Sequence, residues 1–94
     1  MIGVYATCEV KADQKVAFEA LVAQFIAESR GHQGVVSYDC GEVNGKPNHY
    51  CFIERWASQE ALDVHLASPF FQTNAPKLTA MLVDGLNINT VALR

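Results

Sequence analysis

The chain has 94 residues, half of them hydrophobic and 10% aromatic, with a formal net charge of -3. That leaves room for one domain, residues 1–94, with few interior places for so many apolar groups. Lys and Arg are scattered rather than clustered, no apolar run approaches the roughly 20 residues that span a bilayer, and Met1-Ile2-Gly3-Val4-Tyr5 lacks a basic stretch ahead of an apolar one, so the chain reads as soluble and cytoplasmic, with neither nucleic acid nor membrane as a partner.

Ile2 to Val10 is rich in β-formers and runs into the turn-like Lys11-Ala12-Asp13, which predicts a first strand. From Asp13 the period changes. Phe18, Leu21, Val22, Phe25 and Ile26 recur at helical spacing, the apolar stripe of an amphipathic helix with Asp13 as N-cap and Gly31 and Gly34 past its end. Val35 to Val43 and His49 to Trp56 are strand-like runs joined by Asn44-Gly45-Lys46-Pro47-Asn48, whose punctuation suits an antiparallel hairpin. Ser58 ahead of Gln59 and Glu60 caps a short helix reaching about Ala67, and Ser68-Pro69 starts another, since proline is favoured at the first helical position. This last helix carries Phe71, Ala75, Leu78 and Leu82 on one face, bends or breaks at Pro76 and stops near Asp84-Gly85, before a final strand from Leu86 to Leu93.

The order β-α-β-β-α-β, with the second helix in two pieces, is the α+β, ferredoxin-like plan: a four-stranded antiparallel sheet with helices on one face. Val4, Tyr5, Ala6 and Cys8, then Tyr50, Cys51, Phe52 and Ile53, put apolar groups on both faces of that sheet. Helices cover one face, so the sheet of a second copy is expected over the other, and the chain is expected to be a homodimer. Cys8, Cys40 and Cys51 form no CxxC pair. They read as small hydrophobes in strands, with a reactive thiol as the alternative.

Period 2 along the third strand places Tyr50, Phe52, Glu54 and Trp56 on one face and His49, Cys51, Ile53 and Arg55 on the other. If that row faces the helices, the carboxylate held among aromatics is desolvated, which raises its pKa toward neutrality and suits it to acid or base work. The alternative is a Glu54 at the sheet edge, paired with Arg55 or another cation. His65 shares a helix stripe with Leu62 and Leu66, so its imidazole points inward, either as a proton-transfer group or as a satisfied core residue. One histidine makes a poor metal site, and no metal is expected. Trp56, Phe70 and Phe71 supply flat apolar walls for a pocket, or plain packing. His32 and His49, beside glycines or in a loop, read as surface residues.

From Glu54 to Phe71 the run Glu54-Arg55-Trp56, Ala61-Leu62, His65-Leu66-Ala67-Ser68 and Phe70-Phe71 resembles the antibiotic biosynthesis monooxygenase family, and Ser29-Arg30 followed by Gly34 to Tyr38 resembles its passage from helix to strand. The resemblance implies a dimeric α+β barrel with a cleft between sheet and helices in each subunit, and it carries Glu54, Trp56 and His65 over as pocket residues. Two departures bear on function. Phe70 and Phe71 stand where many relatives place a second histidine, so a second imidazole in the cleft is not expected. The first strand lacks the asparagine that marks the haem-degrading members, which disfavours haem breakdown.

The function these residues suggest is a cofactor-independent monooxygenase of a quinol or polyketide phenol, with molecular oxygen as the second substrate. In that reading His65 is the base or proton shuttle, Glu54 its orienting or acid partner, and Tyr50, Phe52, Trp56, Phe70 and Phe71 line the substrate pocket. Two alternatives use the same pocket: an isomerase or proton-transfer enzyme acting on a small carbonyl compound, and a non-catalytic dimer that binds an apolar ligand.

Overall fold

The central element is strand β1 (Ile2–Glu9), which pairs antiparallel with two neighbours in a four-stranded sheet. The computed structural model describes residues 1–94. Strands β2 (Val35–Glu42), β3 (His49–Trp56) and β4 (Asn87–Ala92) complete the sheet in the order β2-β3-β1-β4. Helices α1 (Lys15–Ser29), α2 (Gln59–Ala67) and α3 (Pro69–Ala80) lie on one face. This is the ferredoxin-like α+β fold that the pattern of elements predicts.

Alternation decides what each strand contributes. In β1, Val4, Ala6 and Cys8 are buried, whereas Tyr5, Thr7 and Glu9 are exposed. In β3 the buried set is Tyr50, Phe52, Glu54 and Trp56. From α1, Phe18, Leu21, Val22 and Phe25 close the core above them. The register sets Tyr38 of β2 opposite Glu54, and Ala6 and Val4 of β1 opposite Phe52 and Glu54.

Two boundaries differ from the sequence expectation. Asp13 does not cap α1: it sits in a 3-10 turn, Ala12–Gln14, and the helix begins at Lys15 with no side-chain cap. The Val10 amide bonds to Asn48 O and the Lys11 amide to Met81 O, so the chain is pinned between two segments and takes a tight turn before it can enter the helix. At the other end α3 runs through Pro76 unbroken and stops at Ala80, short of Asp84. Leu82 is drawn into a bridge with Val10, and the Val83 amide bonds to Glu9 O. Those two pairings leave no carbonyl register for another helical turn.

Between the two shorter helices the serines act as expected. Ser58 Oγ accepts from the Ala61 amide at 3.2 Å, and Ser68 Oγ accepts from the Phe71 amide at 3.2 Å. Gly34 has φ +84°, and a Cβ there would lie 2.4 Å from Ala61 Cβ, so only glycine lets the turn after α1 press against α2.

The inner face is covered unevenly. Ile88 and Thr90 of β4 face the helix side, yet both stay exposed, because the helices stop short of that edge. On the outer face Tyr5, Ile53 and Val91 stand 46%, 57% and 41% exposed. No helix is long and apolar enough to cross a membrane.

Candidate functional site

Where the helices stop short of β4, a cavity of about 90 Å3 opens between sheet and helices. Its floor comes from Val4 and Ala6 of β1, Tyr38 of β2, and Phe52 and Glu54 of β3; Leu62, His65 and Leu66 of α2 and Phe71, Ala75 and Leu78 of α3 form the roof. Phe25 closes one end, and Leu86, Ile88 and Thr90 stand at the β4 side. The lining is almost wholly apolar. Glu54, His65, Tyr38 and Thr90 are its polar members, the pattern of a small-molecule site in which a few placed groups orient an apolar ligand.

Glu54 reaches this cavity by strand parity and is 7% exposed. No cation faces it: Arg55 points to the other side of the sheet and is exposed, so the ion-pair alternative does not hold. Its one side-chain hydrogen bond comes from the indole N–H of Trp56, 2.9 Å from Oε1. Burial raises the carboxyl pKa from its ordinary value to about 6, against the lowering effect of the Trp56 hydrogen bond.

His65 is 2% exposed. Its ring lies between aromatic walls, with centroids 4.5 Å from Trp56, 5.3 Å from Phe71 and 5.6 Å from Tyr38. Burial, and then the neighbouring imidazole of His32, push its pKa down to about 4, so at neutral pH the imidazole is uncharged. Tyr38 goes the other way: burial, and then the Glu54 charge, hold its phenol well above the ordinary value, so its hydroxyl keeps its proton.

The residues singled out from sequence divide into three groups. Glu54, His65, Phe52 and Phe71 share the cavity. Trp56, fully buried, lies behind it and touches both polar groups, while Phe70 packs edge-on against Phe25 at 5.1 Å. Tyr50 is not a pocket residue. It packs on Phe18 at 4.8 Å and donates its hydroxyl to Glu19 of α1. Parity gives Tyr50 the correct face, but four residues along a strand is roughly 13 Å, beyond reach of Glu54.

His32 is the largest revision. Far from lying on the surface, its side chain is 17% exposed, and its Nδ1 sits 2.9 Å from Nδ1 of His65. A second imidazole therefore stands beside the first, supplied from the turn after α1 rather than from the segment after Ser68. The available signal is Gly34. The positive-φ turn brings this loop onto Ala61, one helical turn before His65.

All three cysteines are free. Burial pushes the Cys8 thiol up to about 11 and the Cys40 thiol to about 12, which keeps these thiols protonated and poorly nucleophilic. No group of three His, Cys, Asp or Glu side chains is placed to hold one metal ion.

Comparison with known proteins bears on the family and the fold. The family model described as antibiotic biosynthesis monooxygenase matches residues 1–76. Protein sll1783 of Synechocystis sp. is 36% identical over 87 residues, covering 93% of this chain; the chain spans 59% of that protein's length. A conserved protein from Methanosarcina mazei Go1 superposes with a TM-score of 0.96 at 26% identity, over 99% of this chain and 92% of the other. A crystal structure of an antibiotic biosynthesis monooxygenase superposes with a TM-score of 0.93 at 23% identity, over 100% and 99% of the two chains, and so shares the fold.

Proposed function

The chain belongs to the antibiotic biosynthesis monooxygenase family, and from that premise we propose that it oxygenates a small quinol or phenol without a cofactor, in the cavity that holds Glu54 and His65. One observation carries this reading: two buried titratable groups line a single apolar cavity, with pKa values displaced in opposite directions, Glu54 up to about 6 and His65 down to about 4. Displacement of neighbouring groups in opposite directions is how one site holds a base and a neutral polar partner at the same pH.

These directions exchange the roles expected from sequence. Glu54, ionised above about pH 6, is the base that takes the hydroxyl proton, because catalytic efficiency favours a pKa near the working pH. His65 is too weak a base for that task and instead accepts a hydrogen bond that orients the ring. The resulting anion passes one electron to O2, and the radical and superoxide join at a ring carbon. Loss of water from the peroxide leaves a hydroxyquinone, so that a hydroquinone and O2 give a hydroxyquinone and one water. The substrate supplies the electrons, and the protein supplies a dry pocket, a base and a fixed orientation.

Size refines the substrate class. A cavity of about 90 Å3 is smaller than the roughly 150 Å3 engineered cavity that holds benzene, so it takes the hydroxyl-bearing part of one ring, and the rest of the ligand projects past Ile88 and Thr90. The outer face supports a homodimer: Tyr5, Ile53 and Val91 are apolar, exposed and uncovered by any helix, and a second sheet is the cover that fits them. The test is oxygen uptake across a panel of one- and two-ring hydroquinones. Oxygen-dependent turnover supports the proposal, whereas turnover that persists without oxygen favours a proton-transfer enzyme in its place.

A further inference from the structure

The contact between His32 and His65 joins two nitrogens that are each, in a neutral ring, either a donor or an acceptor. A single hydrogen serves the 2.9 Å Nδ1–Nδ1 bond, so one ring must donate and the other accept. What breaks the symmetry is Glu28. Its Oε1 lies 3.7 Å from Nε2 of His32, on the side away from His65, and its side chain is half exposed. A carboxylate there favours a proton on His32 Nε2. Neutral His32 then has a bare Nδ1 that can only accept, so His65 donates from Nδ1 and keeps no proton on Nε2.

The backbone holds this chain of groups in place. The His32 amide bonds to Ser29 O, and the Val35 amide bonds back to His32 O, which fixes the turn between the end of α1 and the start of β2. His65 comes from α2, across the Gly34 and Ala61 contact. With Nδ1 turned to His32, which is not part of the cavity wall, Nε2 is the ring nitrogen left for the cavity that His65 lines.

We infer that His32 is a positioning residue: backed by Glu28, it fixes the tautomer of His65 so that a bare Nε2 faces the cavity, and the cavity therefore selects ligands that bring a hydroxyl hydrogen. Glu54 adds to the same bias, because Oε1 is taken by Trp56 and Oε2 remains an acceptor. The hydroxyls of Tyr38 and Thr90, which donate or accept, suit either form of a quinone couple; Nε2 of His65 and Oε2 of Glu54 favour the reduced, hydroxyl-bearing form over the oxidised one, which has only acceptors and leaves those two atoms unpaired. This deepens the proposed function and rests on it for the identity of the ligand, but not for the tautomer.

Two measurements at pH 8, where an ordinary imidazole is neutral, test the halves separately. Long-range 1H–15N spectra of histidine-labelled, ligand-free protein should place the His65 proton on Nδ1, and His32→Phe should move most of it to Nε2. Glu28→Gln, an exposed change that spares the fold, should move a smaller share the same way. A native His65 protonated on Nε2, or a tautomer indifferent to both substitutions, overturns the inference. Calorimetric titration with phenol and with anisole, its methyl ether, reads the selection. Phenol should bind native protein about tenfold more tightly, the value of one hydrogen bond, and His32→Phe should cut that preference several-fold. Equal binding of the two overturns the selection. Binding of neither sinks the selection and the proposed function together, and the spectra then decide the tautomer alone.

Discussion

Trp56 donates its indole N–H to the carboxylate of Glu54, two residues back on the same strand, at 2.9 Å, and the same indole lies 4.5 Å from the His65 ring. One buried side chain therefore touches both Glu54 and His65. Trp56→Phe removes that donor, leaves a void, and should cost about 3 kcal/mol, from the lost bond and the unfilled volume. It should also push the Glu54 pKa above its native value of about 6, since the hydrogen bond favours the charged form. Urea titration reads the first effect and the acid limb of the pH–rate profile the second, which should move to higher pH.

Stability against pH separates the two buried groups. The raised pKa of Glu54 gives a contribution that is present below its ordinary value of 4.5 and lost as pH rises through about 6. The depressed pKa of His65 gives one that is present above its ordinary 6.5 and lost as pH falls through about 4. Between pH 7 and pH 5 the first gains about 1 kcal/mol and the second loses about 2 kcal/mol, so the gain offsets only part of the loss. Glu54→Gln removes the gain. Its unfolding free energy should therefore fall about 1 kcal/mol further than that of native protein over this interval, as read by urea titration at both pH values.

Gly34 sets how closely the turn carrying His32 approaches α2. A methyl group added there would sit 2.4 Å from Ala61 Cβ, on a backbone at φ +84°. Gly34→Ala should therefore destabilise by about 3 kcal/mol, through strain and displacement together. Thermal melting should show a midpoint lower by about 10 °C or more, and the histidine contact should weaken in the same variant.

Much of this is legible in the sequence, and the lapses have physical reasons. Period 2 places Glu54 on the helix side, and helical period places His65 inward, because each signal is local and the strand or helix extends it without outside help. Tyr50 shows the limit of parity: it assigns a face but not a position along it. His32 lies beyond reach because its burial depends on a left-handed turn at Gly34 meeting a helix 27 residues later in the chain, at Ala61. Asp13 fails as a cap for the same kind of reason, since pairings of Val10 and Lys11 with distant segments decide where α1 begins.

The outer sheet face supports the prediction that the native chain runs at twice its 10.3 kDa mass in light scattering at micromolar concentration. Ile53→Asp puts a charge in the middle of that face, at a residue 57% exposed in the single chain. The variant should fold and scatter as a monomer, because an unpaired charge buried between two sheets costs more than the interface returns.

The central claim is that Glu54 takes a hydroxyl proton in the cavity and so allows the substrate to react with O2. Its most direct test is turnover of the best quinol from the oxygen-uptake panel under 18O2, with mass analysis of the product, for native protein, Glu54→Gln, His65→Ala and the double variant. One 18O atom should enter each product molecule. Each single variant should lower kcat by about 100-fold and the double variant little further, as for groups that act on one step. Product that carries no label, or labelled product formed by folded Glu54→Gln at the native rate, would contradict the account.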